Sequence, residues 1–303
     1  MRVAITGASG LLGQILVRAL NSRGDEVVSL VRKRPQGDNE RLWDPTAGRI
    51  AGPGLEDVDA VVNLAGAPIV RRKWTTPILE EIRQSRVMST LTVVDALEPD
   101  GRCQMLVNAS AVGYYGLGRG SEILTSESGS GEGFLAEVVR EWEAAAEHAP
   151  IPTALIRTGN VLTRSGGFLG PQRMLFQLGL GGRMGSGRQY VPWIHIYDWV
   201  MAVLFVLDNS ITGPVNVTAP NPVSNAEFTR VFADSLGRPP LGVPVPEWLL
   251  RLGVGQQMRN ELLMVSLRVV PDTLLDRGFK FRFPKLADAL ADLSPAKSKR
   301  SAG

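Results

Sequence analysis

Three hydroxyl groups that could hold a substrate or pass it a proton sit together in this chain. The stretch NASAVGYYG, residues 108–116, ends an apolar run in Ser110 and sets Tyr114 and Tyr115 among glycines. A serine hydroxyl there could hold a carbonyl or hydroxyl, and a tyrosine could pass it a proton. An unperturbed tyrosine has a pKa of about 10, so about one in a thousand is ionised at pH 7. Bringing it to neutrality takes about 4 kcal/mol of differential stabilisation, for which a neighbouring positive charge is the main source. Ser110, Tyr114 and Tyr115 are the catalytic candidates.

A second constellation lies at the start of the chain. ITGASGLLGQ follows the apolar run RVAIT and opens a helical stretch, with Gly7, Gly10 and Gly13 spaced three apart. Glycine lets the backbone turn tightly against a pyrophosphate, and a helix start supplies free N–H groups and positive dipole. The expected cofactor contacts here are Thr6, Gly7, Ser9, Gly10, Leu11, Leu12 and Gly13. The next strand ends in Arg32, Lys33 and Arg34, where a binder of the unphosphorylated dinucleotide usually carries an acidic residue. Arg32 facing a 2′-phosphate would favour NADP over NAD by about 10- to 100-fold. Lys33 and Arg34 read equally well as a solvated turn. Small residues in NLAGAP, at Leu64, Ala65 and Gly66, would let the backbone pass the adenine ribose closely.

These residues need a frame. Strand-like runs (RVAIT, EVVSLVR, AVVNLAG, QMLVNAS, PTALIRT) alternate with helical ones (LLGQILVRALNSRG, TTPILEEIRQSRVMSTLTVVDAL, FLAEVVREWEAAAEHA). That alternation predicts an α/β fold, a doubly wound parallel sheet of Rossmann type. Gly24 reads as the first helix's stop. After Thr163 the pattern changes to a glycine- and arginine-rich stretch, then further helical pieces including SNAEFTRVFADSLG, VPEWLLRLGV and NELLMVSLRVVPDTLLDRGF. We expect a dinucleotide-binding domain over 1–162, with 193–221 returning to it. A smaller, mostly helical, interleaved lobe on the substrate side spans 163–192 and 222–292, and a basic tail spans 293–303.

Composition narrows the class. The 303 residues are 44% hydrophobic and 21% charged, with a formal charge of only +3. That suits a globular protein and gives little reason to expect nucleic acid. The single cysteine, Cys103, excludes a disulfide framework and a multi-cysteine metal site within one chain. No signal peptide or membrane-length apolar run is read, and a cytoplasmic location is expected.

The glycine loop, NLAG, SAVGYYG, LIRTGNVL and WIHIYDWVMAV occur in an order that resembles the extended short-chain dehydrogenase/reductase superfamily. LWDPTAGRI, SRVMST, FLAEVVREWEAAA and LRVVPDTLLDRGFKFRFPKLADAL resemble its atypical epimerase-like, cell-division-inhibitor-like branch, over about residues 1–292. The resemblance implies an NADP-binding Rossmann domain, with Ser110 and Arg157 added to the cofactor contacts, and a lobe that elsewhere holds a nucleotide-linked substrate. The superfamily's usual engine is a serine plus a tyrosine with lysine four residues later. Here the residues four after Tyr114, Tyr115, Tyr190 and Tyr197 are Gly118, Arg119, Ile194 and Met201, and no lysine lies between Lys73 and Lys280. By spacing, Phe134 and Val138 stand where the pair would be. Ser110 matches the motif serine. Either Tyr114 or Tyr115 moves into the donor role with Arg119 as substitute charge, or one packs and the other lines the pocket as a neutral donor.

Arg183 and Arg188, in GGRMGSGRQ, are read as a phosphate clamp or as plain surface-loop arginines, and His195, in the substrate-covering stretch, as a buried, satisfied histidine ahead of a catalytic one. Arg71, Arg72 and Lys73 could face an anion, and Trp74 could stack on a ring. His148 reads as a helix C-cap. Two functions stay open. One is an NADP-dependent oxidoreductase or epimerase-like enzyme with a changed acid/base set, acting on a nucleotide-linked or carbonyl compound. The other is a catalytically inactive NADP-binding regulator or redox sensor, linked to cell division. A monomer or homodimer is expected.

Overall fold

The computed structural model describes residues 1–70, 74–164, 166–240, 244–245 and 255–294. In chain order the strands are β1 (Arg2–Thr6), β2 (Glu26–Val31), β3 (Glu40–Asp44), β4 (Arg49–Ile50), β5 (Ala60–Asn63), β6 (Met105–Ala111), β7 (Ile123–Leu124), β8 (Thr153–Thr158), β9 (Asn160–Leu162), β10 (Tyr190–Val191), β11 (Trp193–His195), β12 (Gly213–Val217), β13 (Val223–Ser224) and β14 (Arg268–Val269). Eight of them form one sheet in the order β12-β8-β6-β5-β1-β2-β3-β4, parallel except for the final β3–β4 hairpin. The order reverses at β1, which pairs β2 on one side and β5 on the other. In such sheets the crevice outside the strands' carboxyl ends at the reversal is the binding place.

Both faces are covered, so the strands read as continuous apolar runs. Val3 and Ile5 of β1 face Leu16 and Leu20 of helix α1 (Leu11–Arg23). Ala4, of opposite pleat, shares a cluster with Val93 and Val94 of α2 (Thr76–Asp95). Helix α3 (Phe134–Glu147) packs beside α2, and the fully buried Trp199 of α5 (Ile196–Asp208) joins α1's side. Gly24, with φ of 90°, closes α1 by donating its N–H to Leu20 and Asn21 carbonyls.

A second core lies beyond the sheet. Leu169 and Phe176 of α4 (Leu169–Gln177), Phe228 and Phe232 of α6 (Asn225–Leu236), and Leu286, Leu290 and Leu293 of the helix Leu286–Leu293 pack around Trp193. Ser224 caps α6 by accepting from the Glu227 N–H at 3.2 Å. The buried Asp198 of α5 accepts from the Arg282 and Phe283 amides at 2.8 Å each, fastening the C-terminal segment to the sheet domain. The helix expected over NELLMVSLRVVPDTLLDRGF is broken. Helical turns at 259–263 and Asp272–Asp276 flank β14, whose β-branched surroundings pair it with β7 while Pro271 bars a continuous helix. Most of VPEWLLRLGV, and the tail from 295, lie outside the described residues. No helix among those described is long and apolar enough to cross a membrane.

At the crevice, chain packs on chain without side chains between. A Cβ on Gly13 would lie 2.2 Å from the Gly7 carbonyl oxygen and 2.8 Å from the Ala8 Cα. Gly13→Ala must therefore push α1 off its turn. We expect a loss of about 1–3 kcal/mol in urea unfolding; an unchanged midpoint would contradict this packing.

Candidate functional site

The amino-terminal turn comes first. Gly7 takes φ of +67°, and a Cβ there would meet the Leu64 carbonyl oxygen at 2.8 Å. The turn after β1 and the segment after β5 thus touch through main chain. Ser9, Gly10 and Leu11 are exposed, and Leu12 is half-buried. No side chain caps α1 and its first turn carries no acidic residue, so its positive end faces out unneutralised. Arg32 is exposed just past β2, on the strand neighbouring β1. The Thr6 side chain is fully buried. Its hydroxyl donates to Asn63 Oδ1 at 2.6 Å and accepts from the Leu64 and Ala65 amides at 3.0 Å. It therefore shapes the loop from below, and with no surface of Thr6 exposed the expected direct cofactor contact finds no support.

Beneath the crevice is a buried polar layer. The Asn63 amide donates to Asn108 Oδ1 at 2.6 Å and Thr90 Oγ1 at 2.9 Å, and the Trp142 indole donates to the same Thr90 oxygen at 2.9 Å. This ties β5, β6, α2 and α3 at one level.

Next to it lies an ion pair that sequence reasoning missed on one side and misplaced on the other. Arg157 of β8 is 3% exposed and Glu143 of α3 is 4% exposed. They pair bidentately, Nε to Oε1 and Nη2 to Oε2, both at 2.8 Å. Burial alone would lower the guanidinium's pKa, but the Glu143 carboxylate more than offsets this and raises it. Arg157 is thus a core cation and not the expected cofactor contact. Ser110, in register with Arg157 across the sheet, donates its one proton to Glu143. Its oxygen can then only accept from anything in the crevice. Glu143 had a signal: it interrupts the apolar stripe Leu135, Val139, Trp142 and Ala146 of α3, as Arg157 interrupts TALIRT.

The two tyrosines part company. Tyr115 is fully buried. Its hydroxyl receives the Arg157 Nη1–H at 3.2 Å and lies 2.8 Å from the Thr125 carbonyl and 2.6 Å from Asn216 Oδ1. Burial pushes its pKa up against the opposing pull of Arg157. Tyr115 is a core residue, which corrects its place among the catalytic candidates. Tyr114 is half-buried, with the Arg157 guanidinium 3.5 Å from its ring centroid, and its hydroxyl bonds no described residue. The cation at the tyrosine is therefore Arg157, whereas Arg119 turns away to the Gly129 carbonyl and Glu122.

Phe134 is half-buried at the start of α3, its ring 5.7 Å from Trp74, and Val138 is buried. The Phe134 and Leu135 amides donate to Glu261, a carboxylate reaching in from the C-terminal lobe, at 3.2 and 2.7 Å. His195 is 3% exposed. Its Nδ1 caps α5 by accepting from the Tyr197 amide at 3.0 Å, and its ring lies 3.9 Å from that of Phe283. Burial lowers its pKa despite Asp292 nearby. It is the buried capping histidine that the sequence also offered, and its 3% exposure leaves the substrate contact without support. Arg183 and Arg188 are exposed and make no ion pair among the described residues. His148 caps the end of α3, its Nδ1 2.7 Å from the Ala144 carbonyl. Arg71, Arg72 and Lys73 lie outside the described residues.

A mostly parallel sheet, covered on both faces and carrying a glycine turn at its reversal point, defines a Rossmann-type α/β protein. This chain belongs to the NAD dependent epimerase/dehydratase family, which matches residues 3–218; a domain of unknown function, DUF1731, matches residues 245–293. Epimerase family protein Mb2239 of Mycobacterium bovis is 40% identical over 292 residues, 95% of this chain and 96% of the relative. The crystal structure of human epimerase family protein SDR39U1 (isoform 2) with NADPH superposes with a TM-score of 0.88 at 34% identity, covering 97% of this chain and 99% of that one. The Arabidopsis thaliana SDR39U1 homolog, named chloroplastic, is 36% identical, covering 96% of this chain and 86% of the relative.

The buried pair makes a sharp expectation. Glu143→Ala strands a guanidinium in the core and should cost about 3–5 kcal/mol. Replacing both partners, Glu143→Leu with Arg157→Met, should recover most of that loss in urea unfolding. A double variant as unstable as the single one would contradict the assignment.

Proposed function

We propose that this chain is an NADP(H)-dependent oxidoreductase of the epimerase-like type, acting on a small nucleotide-linked or carbonyl compound within the cytoplasm. One observation carries the reading. The open glycine turn, the uncapped start of α1 and the exposed Arg32 lie side by side at the sheet's reversal point. These residues fit a phosphorylated dinucleotide. Gly7 and Gly13 let the turn close where a Cβ would strike the Leu64 or Gly7 carbonyl, the uncapped helix start suits a pyrophosphate, and a guanidinium suits a 2′-phosphate. The NADPH-bound human relative supports the same choice. The bound dinucleotide would supply hydride chemistry.

The chain's own part is orientation and one proton. Ser110, its proton held by Glu143, would accept a hydrogen bond from a hydroxyl or amine. Tyr114 has the free hydroxyl and would pass the proton to or from the substrate oxygen, with Arg157 over its ring. Arg183 and Arg188 would meet a substrate phosphate from the lobe. Phe134 and Val138 can do none of this work, so the usual tyrosine–lysine engine is not used.

A second reading keeps the dinucleotide and drops the turnover: a regulator or redox sensor read by a partner. What favours it is that Tyr115 is sealed in the core and Ser110 has no proton to give.

Arg32→Asp separates phosphate recognition from a solvated turn. NADPH affinity, read by cofactor fluorescence, should fall about 10- to 100-fold with NADH affinity held or improved. Equal NADPH affinity in variant and parent would refute the role of Arg32.

A further inference from the structure

Three arginines are buried among the described residues: Arg41, Arg86 and Arg157. Arg41 pairs with Asp57 and Arg157 with Glu143. Arg86, 8% exposed, pairs with no described carboxylate. Its Nη1 donates to the Ile82 carbonyl at 2.8 Å and its Nη2 to the Ala67 carbonyl at 3.2 Å, and its guanidinium lies 5.2 Å from the Trp142 ring centroid. The fork makes no other bond to a described residue, and none of its nitrogens is among the atoms both sealed from solvent and unbonded. Burial, unopposed, pushes its pKa down to about 10, so the group is still a cation at neutrality.

Its position follows from the polar layer below the crevice. Thr90 of α2 bonds Asn63 and Asn108 in that layer. Helix α2 runs back from the carboxyl ends of β5 and β6, so Arg86, four residues earlier on the same helix face, stands about 6 Å nearer the crevice. Ser110, two residues past Asn108 on the same face of β6, rises by about 6.6 Å. Arg86 and Ser110 therefore share one level, immediately above the layer. Arg86 lies under the Gly66–Ala67 backbone, where a Cβ on Gly66 would sit 3.3 Å from its Cζ. The same segment's Leu64 touches the glycine turn. The sheet order puts Arg86 on the β5–β6 side of the reversal at β1 and Arg32 on the β2 side.

We propose that Arg86 is an anion-binding residue of this crevice, and that its missing counter-charge is an oxyanion of a bound ligand. The inference deepens the proposed function and rests on it for the identity of the crevice. Two sources share this chemistry: the dinucleotide's own phosphates, or the carboxylate or phosphate of a second small molecule. The guanidinium is held ready by two main-chain carbonyls and an indole face, none of which neutralises it. A buried charge kept without a partner costs stability, which the chain recovers only when the anion arrives.

The test uses the full chain, with Arg86→Met and Arg86→Lys as variants. Unliganded Arg86→Met is expected to melt no lower than the parent, because it removes an unpaired buried charge without leaving a large cavity. NADPH, inorganic pyrophosphate and malonate are then titrated separately, and the two anions again with NADPH saturating. At least one of these affinities should fall about 10- to 100-fold in Arg86→Met. A fall for NADPH assigns the oxyanion to the dinucleotide; a fall for pyrophosphate or malonate alone assigns it to a second ligand. A Met variant that melts lower and binds all three as the parent does is a loop brace, and overturns the proposal. So does a parent that binds none of them. If the parent binds an anion but not NADPH, the dinucleotide reading falls while the anion titrations still decide Arg86. Should the Met variant not fold, Arg86→Lys, which keeps the charge and loses the fork, should bind the same anion more weakly. Equal affinity there would overturn the proposal.

Discussion

Everything at the crevice depends on two stretches of backbone meeting where no side chain fits. The Gly7 turn presses on the Leu64 carbonyl, and α1 presses on the Gly7 carbonyl through Gly13. Thr6 fastens the contact from inside the sheet, one hydroxyl serving three partners. The start of α1 is thereby aimed out of the crevice with its amides and dipole unspent. A side chain at either glycine would separate β1 from β5 and move the helix start away from any phosphate. The strand order, the reversal at β1 and the small residues of NLAG all serve this one approach.

The buried charges set what chemistry is left. Glu143 and Arg157 neutralise each other across α3 and β8, and both Ser110 and Tyr115 are drawn into their network. The network continues from Tyr115 through Asn216 to Asp272, which holds Ser126. Asp272 and Glu261 both belong to the C-terminal domain of unknown function. That domain therefore closes a polar chain that begins at the motif serine and caps the helix where the usual tyrosine would stand. Within this crevice the Tyr114 hydroxyl bonds no described residue, and the Arg86 guanidinium has carbonyl partners but no described carboxylate.

Local pattern carried the fold well. The alternation of apolar strands and helices, Gly24 as a stop and the glycine turn all follow from period and backbone freedom within a few residues. At the candidate site, what was legible was the main-chain turn that only glycine can make. Tyr114 and Tyr115 are identical in type and adjacent, and nothing local says that one seals into the core while the other stays at the rim; residues 101 and 157 positions away along the chain, Asn216 and Asp272, decide it. Arg157 was misread because a buried charge looks like a functional one until its partner is seen. Glu143 and Arg86 were visible as charges inside apolar stripes, but the identity of a partner on another element is a tertiary fact. β14 was read as helix because its β-branched run is short and its pairing with β7 is distant in sequence.

The central claim is that the amino-terminal turn and Arg32 hold a phosphorylated nicotinamide dinucleotide. Isothermal titration of the purified chain with NADPH and, separately, NADH tests it most directly. The account requires saturable binding at one site per chain, tighter for NADPH by about tenfold or more. No heat and no saturation with either dinucleotide, or equal affinity for both, would contradict it.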